Sequence, residues 1–118
     1  MSNFAPTRTE YNESDRRWAR NFLALDTYGV TLDGSNFPAG TVVPSGTHIG
    51  KPDASTKLCG PRASGQPSAG LLINDVKITP GKHLVALASG GGPVDRRYLP
   101  AGHDDAAEKS LTAINFIN

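Results

Sequence analysis

Three histidines, one cysteine and a few paired charges are the groups in these 118 residues from which an active site could be built. His48, His83 and His103 stand in separate segments with no HxxxH, HxH or CxxC spacing, so no metal-ligand pattern emerges and they read as scattered surface histidines. Cys59 lies in Leu58-Cys59-Gly60-Pro61 without the surroundings of a catalytic nucleophile. Ser89-Gly90-Gly91-Gly92-Pro93 has the glycines of a phosphate cradle, but neither Gly-Lys-Ser/Thr nor a helix start follows, so a flexible hairpin turn is expected. The Asp104-Asp105 pair is accounted for by helix capping, and Arg96-Arg97 by a solvated face; a functional Arg96-Arg97 would suit an acidic protein surface. No catalytic residue, metal ligand or cofactor is expected.

The elements that would position these groups are short. The chain has 13 glycines and 9 prolines, a composition that favours turns and brief strands over long helices. Tyr28, Val30 and Leu32 alternate with small or polar residues as on a half-buried strand. Thr41-Val42-Val43 and Thr47-His48-Ile49-Gly50 follow as two very short strands around Pro44-Ser45-Gly46. Residues 50 to 70 read as an irregular contact or mobile loop with room for one short strand. Leu71 to Ile78 is the strongest strand, with His83 to Ala88 as its hairpin partner and Val94 to Leu99 as a further strand. Asp104 or Asp105 caps a short helix reaching Leu111, with Glu108 completing a capping-box-like pair, and Ile114 to Ile117 closes the chain in a β-segment.

The first 26 residues differ: they lack glycine, mix arginines with acidic residues and hold the single tryptophan. Tyr11, Trp18, Phe22 and Leu25 would share one face of a helix, and an extended conformation is equally open. The expected organisation is an N-terminal arm over 1–26 and a β-rich domain over 27–118. The fold class is mainly β with one short α-helix, a small single-domain sandwich or barrel-like fold. Arg16, Arg17 and Arg20 beside Trp18, Phe22 and Leu23, with Tyr11, form the pattern that interface hot spots favour, so the arm is the candidate binding element. Trp18 and Phe22 packing back on their own domain is the competing reading.

A net charge of +1 leaves no basic excess for a phosphate backbone or an anionic membrane, so neither nucleic acid nor membrane is an expected partner. The lone cysteine excludes an intramolecular disulfide framework and suits a reducing compartment. The opening Ser2-Asn3-Phe4-Ala5-Pro6 lacks the basic start and apolar run of a signal peptide, which points to synthesis in a cytoplasm.

Three segments in order resemble the head decoration proteins of tailed bacteriophages. Phe37 to Lys51 resembles their early short-strand pair, and Ala69-Gly70-Leu71-Leu72-Ile73-Asn74-Asp75-Val76 their central strand. Val94-Asp95-Arg96-Arg97-Tyr98-Leu99-Pro100, a short helix and Ile114-Asn115-Phe116-Ile117 are similar to their ending. The likeness covers residues 28 to 117 and departs from the pattern between Pro52 and Gly70. It implies a non-enzymatic protein of the virion's outer capsid surface, made in the host bacterial cytoplasm. It further implies trimers at capsid three-fold positions, partnership with the major capsid protein and an arm that orders on the capsid. A non-viral ligand-binding or assembly-subunit β-module, and a cysteine hydrolase built on Cys59, are the alternatives.

Overall fold

Alternation in the first half of the chain does produce a strand: Asp26–Asp33 (β1) turns Leu32 fully into the core while Thr27 and Gly29 stay exposed. The computed structural model describes residues 15–118. After β1 come Val42–Val43 (β2), His48–Gly50 (β3), Ser68–Leu72 (β4), Val76–Lys77 (β5), Lys82–Asp95 (β6), the helix Asp105–Ser110 (α1) and Ile114–Ile117 (β7). Short 3-10 turns sit at Phe22–Ala24, Gly34–Asn36 and Arg96–Tyr98. The protein is thus mainly β with one short α-helix among the described residues.

Strand β6 organises the rest. Antiparallel neighbours give the order β1-β6-β4-β3, β7 joins the far end of β6 in parallel, and β2 pairs with β5 in a separate two-stranded sheet. The expected turn at Ser89–Pro93 lies inside β6, which changes partner there: Asp26 to Asp33 pair with its first part, Ile114 to Ile117 with its last. Gly91 makes this possible. Its φ is +89°, and a Cβ there would lie 2.1 Å from the Ala24 carbonyl oxygen, so the glycine admits a crossing chain and a register shift instead of ending the strand.

Where β4 meets β6 the sheet is buried on both sides. Leu71 and Leu72, or Leu87 and Ala88, are neighbours on a strand yet enter different cores, as the two-residue period requires. One core gathers Leu32, Phe37, Val43, Ile49, Cys59, Leu72, Ile78 and Leu87; the other holds Trp18, Leu71, Ile73, Ala88, Val94, Leu111 and Ile114. Leu71-Leu72-Ile73 therefore reads as a continuous apolar run because both faces are covered.

Several expectations change. Leu71–Ile78 is not one strand: β4 ends at Leu72, and β5 belongs to the other sheet, paired through Val42↔Lys77 and Val43↔Val76. β4 meets β6 at Leu71↔Ala88 and Leu72↔Leu87, whereas the long hairpin-like partner of β6 is β1. Val94 to Leu99 ends its strand at Asp95, whose carboxylate accepts the Arg97 N–H and starts a 3-10 turn. The stretch before β4 is held down at Cys59, which donates to Thr31 O and accepts from Asp33 N, each at 2.9 Å. Its buried side chain closes the first core.

The segment entering β1 is neither a helix nor separate from the domain. Trp18 is fully buried in the second core, the bridge Ala19↔Val94 is antiparallel, and Asp95 N–H donates to Trp18 O at 2.7 Å. The boundary expected at residue 26 therefore does not separate Trp18 from the domain. Gly46, at φ +91°, leaves room for the indole: a Cβ there would stand 2.9 Å from both Trp18 and Pro100.

Candidate interaction surface

Burying Trp18 fixes what surrounds it. Its Nε1–H donates to Ser45 Oγ at 3.1 Å, and Ser45 Oγ donates to Ile73 O at 2.6 Å, so the polar edge of the indole is satisfied inside the core. With the tryptophan as a peg, Arg17 and Arg20 stand on the surface with 69% and 51% of their side chains exposed.

Two copies of one local device meet here. In Asp15-Arg16-Arg17 and again in Asp95-Arg96-Arg97, the aspartate accepts the backbone N–H of the second arginine, and its two oxygens take that guanidinium's Nε and Nη2. The Nη2 contacts are 2.8 Å in both. Hydrogen bonding from Arg17 lowers the Asp15 carboxyl to about 2. The Arg97 guanidinium holds the buried Asp95 carboxyl well below its usual range, and Arg20 reaches the same carboxylate at 3.4 Å. Both forked guanidiniums lie over Tyr98, Arg17 at 4.8 Å and Arg97 at 5.5 Å from the ring centre. Arg17, Ala19, Arg20, Arg97 and Tyr98 line an open hollow of about 420 Å³. Two and three residues along the chain from Arg20, Phe22 lies under the Arg16 guanidinium at 4.9 Å and Leu23 is 92% exposed.

Of the residues picked from the sequence, Arg17, Arg20, Phe22 and Leu23 lie on the surface. Arg16 is tied to Ile73 O and to Asn74, Trp18 is a core residue and not an exposed anchor, and Tyr11 lies outside the described residues. Arg97 and Tyr98 complete this surface from just past the far end of β6. The repeated Asp-Arg-Arg-aromatic run, at 15–18 and 95–98, was the signal for them.

His83 stays apart near the start of β6, bonded to Thr79, but His48 and His103 are not scattered. His48, buried on β3, bonds through Nδ1 to Ser68 Oγ at 2.8 Å and through Nε2 to His103 Nδ1 at 2.7 Å. His103 Nε2 meets Glu108 at 3.1 Å, and Arg96 holds the same carboxylate. The Glu108 carboxylate can only accept, which places a proton on His103 Nε2. With both imidazoles neutral, His103 Nδ1 accepts from His48 Nε2–H and His48 Nδ1 accepts from the Ser68 hydroxyl. Burial, followed by the neighbouring His103 and Arg62, pushes His48 down to about 4. Below the pair, Asp104 caps α1 by accepting from Ala107 N at 2.9 Å and from Gly65 N at 3.1 Å, bonds that lower its carboxyl to about 2. The helix cap is therefore Asp104, and Glu108 serves His103 and Arg96 instead of a capping box. Arg62, its side chain only 2% exposed, joins Asp104 to Gln66 O and Gly102 O.

This relay has the order of a serine–histidine–acid chain, but its serine is closed off. Ser68 is fully buried and its hydroxyl also accepts from Gly70 N at 3.1 Å, so the chain works as a strap between β3 and the helix. Among the described residues, no group of three or more His, Cys, Asp or Glu side chains is arranged to hold a metal ion, and no helix is long and apolar enough to cross a membrane. No protein-family model matches the sequence, and no curated protein matches it.

Proposed function

We propose that this protein decorates a bacteriophage capsid, binding the outer surface of the expanded head as trimers and cementing it, with the major capsid protein and its own copies as partners. The observation that carries the reading is the surface around Tyr98. It presents exposed arginines and an aromatic ring on a mainly-β domain, the residue types that concentrate binding energy at protein interfaces. The ordered likeness of three segments to head decoration proteins supplies the identity of the partner. Function is binding without catalysis, metal or cofactor, outside any contact with nucleic acid or membrane, on a virion assembled from proteins made in the host cytoplasm.

The test is to mix purified protein with empty expanded capsids and sedimentate them, then heat decorated and bare capsids. A ligand that binds only the assembled state stabilises it by mass action, so saturated capsids should rupture at a higher temperature. Full occupancy with an unchanged rupture temperature would refute cementing. Self-association without capsid binding would instead favour a non-viral assembly subunit.

A further inference from the structure

We infer that the face built on the two Asp-Arg-Arg forks and Tyr98 is a receptor for an acidic polypeptide segment, whose carboxylates bind Arg17 and Arg97 over the ring. The inference rests on the reading that this face meets the partner and specifies the partner's chemistry there.

Charge is the first argument. Arg17, Arg20 and Arg97 stand here against Asp15 and Asp95, a local excess of +1 gathered on one hollow. Asp95 is buried beneath it and spends its oxygens on Arg97 and Arg20.

Preorganisation is the second. The fork bonds use Nε and Nη2 of Arg17 and Arg97, so each guanidinium is held by its own aspartate and stacked on Tyr98 while Nη1 takes no part in those bonds. A partner carboxylate meets charges whose ordering cost is already met within the fold. Geometry is the third. With ring distances of 4.8 and 5.5 Å, the two guanidiniums lie no more than about 10 Å apart, a span that carboxylates two residues apart on an extended chain, about 7 Å, can bridge. Separate single donors suit spaced carboxylates better than one tetrahedral phosphate, which favours bidentate forks that here are already occupied.

The probe is a fluorescent decaglutamate peptide titrated into the full chain at low salt, beside decaglutamine and a ten-nucleotide oligothymidylate. Decaglutamate should bind, decaglutamine should not, and added salt should weaken the complex. Arg17→Gln with Arg20→Gln should weaken it about fivefold or more, from two exposed charge contacts. Lys51→Gln with Lys77→Gln, which removes equal charge elsewhere, should change it less than about twofold. Amide shifts of the unaltered protein on adding decaglutamate should centre on residues 15–23 and 95–98, a readout that needs no variant. Equal weakening by both variant pairs, shifts centred elsewhere, or tighter binding of oligothymidylate through the same arginines overturns the inference. Capsid sedimentation undiminished by the arginine pair also overturns it while leaving decoration standing. Decaglutamate binding through these arginines by a protein that ignores capsids removes decoration and keeps the acidic-ligand site.

Discussion

Lowering the pH from 7.5 to 5 should cost the folded protein about 2 kcal/mol through His48 alone. In the unfolded chain this imidazole takes up a proton near its ordinary value of 6.5, whereas burial beside His103 and Arg62 depresses it to about 4 in the fold. Between those values the unfolded state binds more protons, so stability is complete above about pH 6.5 and is lost as pH falls toward 4. The full difference corresponds to about 3 kcal/mol, of which about 2 kcal/mol has gone at pH 5 and almost none at pH 7.5. His48 is almost completely buried, so solvent screening does not erode the figure. The carboxylates pull in the same direction at lower pH: Asp95, Asp104 and Glu108 are depressed in the fold, and their contribution is lost only as pH falls through their own range, below about 5. Urea unfolding at pH steps from 7.5 to 5 therefore reads imidazole titration ahead of the carboxylates. His48→Gln, which keeps an amide for Ser68 and His103 but cannot titrate, should flatten the profile there. A wild-type profile flat from 7.5 to 5, equal losses in both proteins, or a His48 imidazole resonance titrating near 6.5 would refute the reasoning.

Trp18→Ala should destabilise the fold by about 3–5 kcal/mol, the cost of emptying a large aromatic site, and removing residues 1 to 24 should likewise collapse cooperative unfolding, because Trp18 fills the second core; a truncated chain that melts like the full one would contradict its burial. Arg62→Met should lower the urea stability by about 2–3 kcal/mol, since it strips Asp104, Gln66 O and Gly102 O of a buried partner. Chelator and reductant should leave the melting temperature unchanged, as Cys59 is a buried free thiol whose pKa burial pushes up; a drop with either would reveal a metal or a disulfide.

What could be read directly from the chain was local. Alternation in Tyr28-Gly29-Val30-Thr31-Leu32 specified β1, aspartates ahead of Ala106 and Ala107 specified α1, and Ile114 to Ile117 was recognisable as a closing strand. These signals lie within one element, where side-chain period and capping chemistry act over a few residues. Even the strength of Leu71-Leu72-Ile73 was legible, although its division between two cores was not. Tertiary structure decided the rest. Whether Trp18 anchored a partner or filled the protein depended on Gly46 clearing space across the core, and glycines 90 to 92 served a bulge where their composition suggested a turn. His48 and His103, 55 positions apart, became one hydrogen-bonded pair, and two Asp-Arg-Arg runs from opposite ends of the chain closed on a single tyrosine. Such meetings depend on which sheet faces close over one another, a property of packing that periodicity along the chain does not encode.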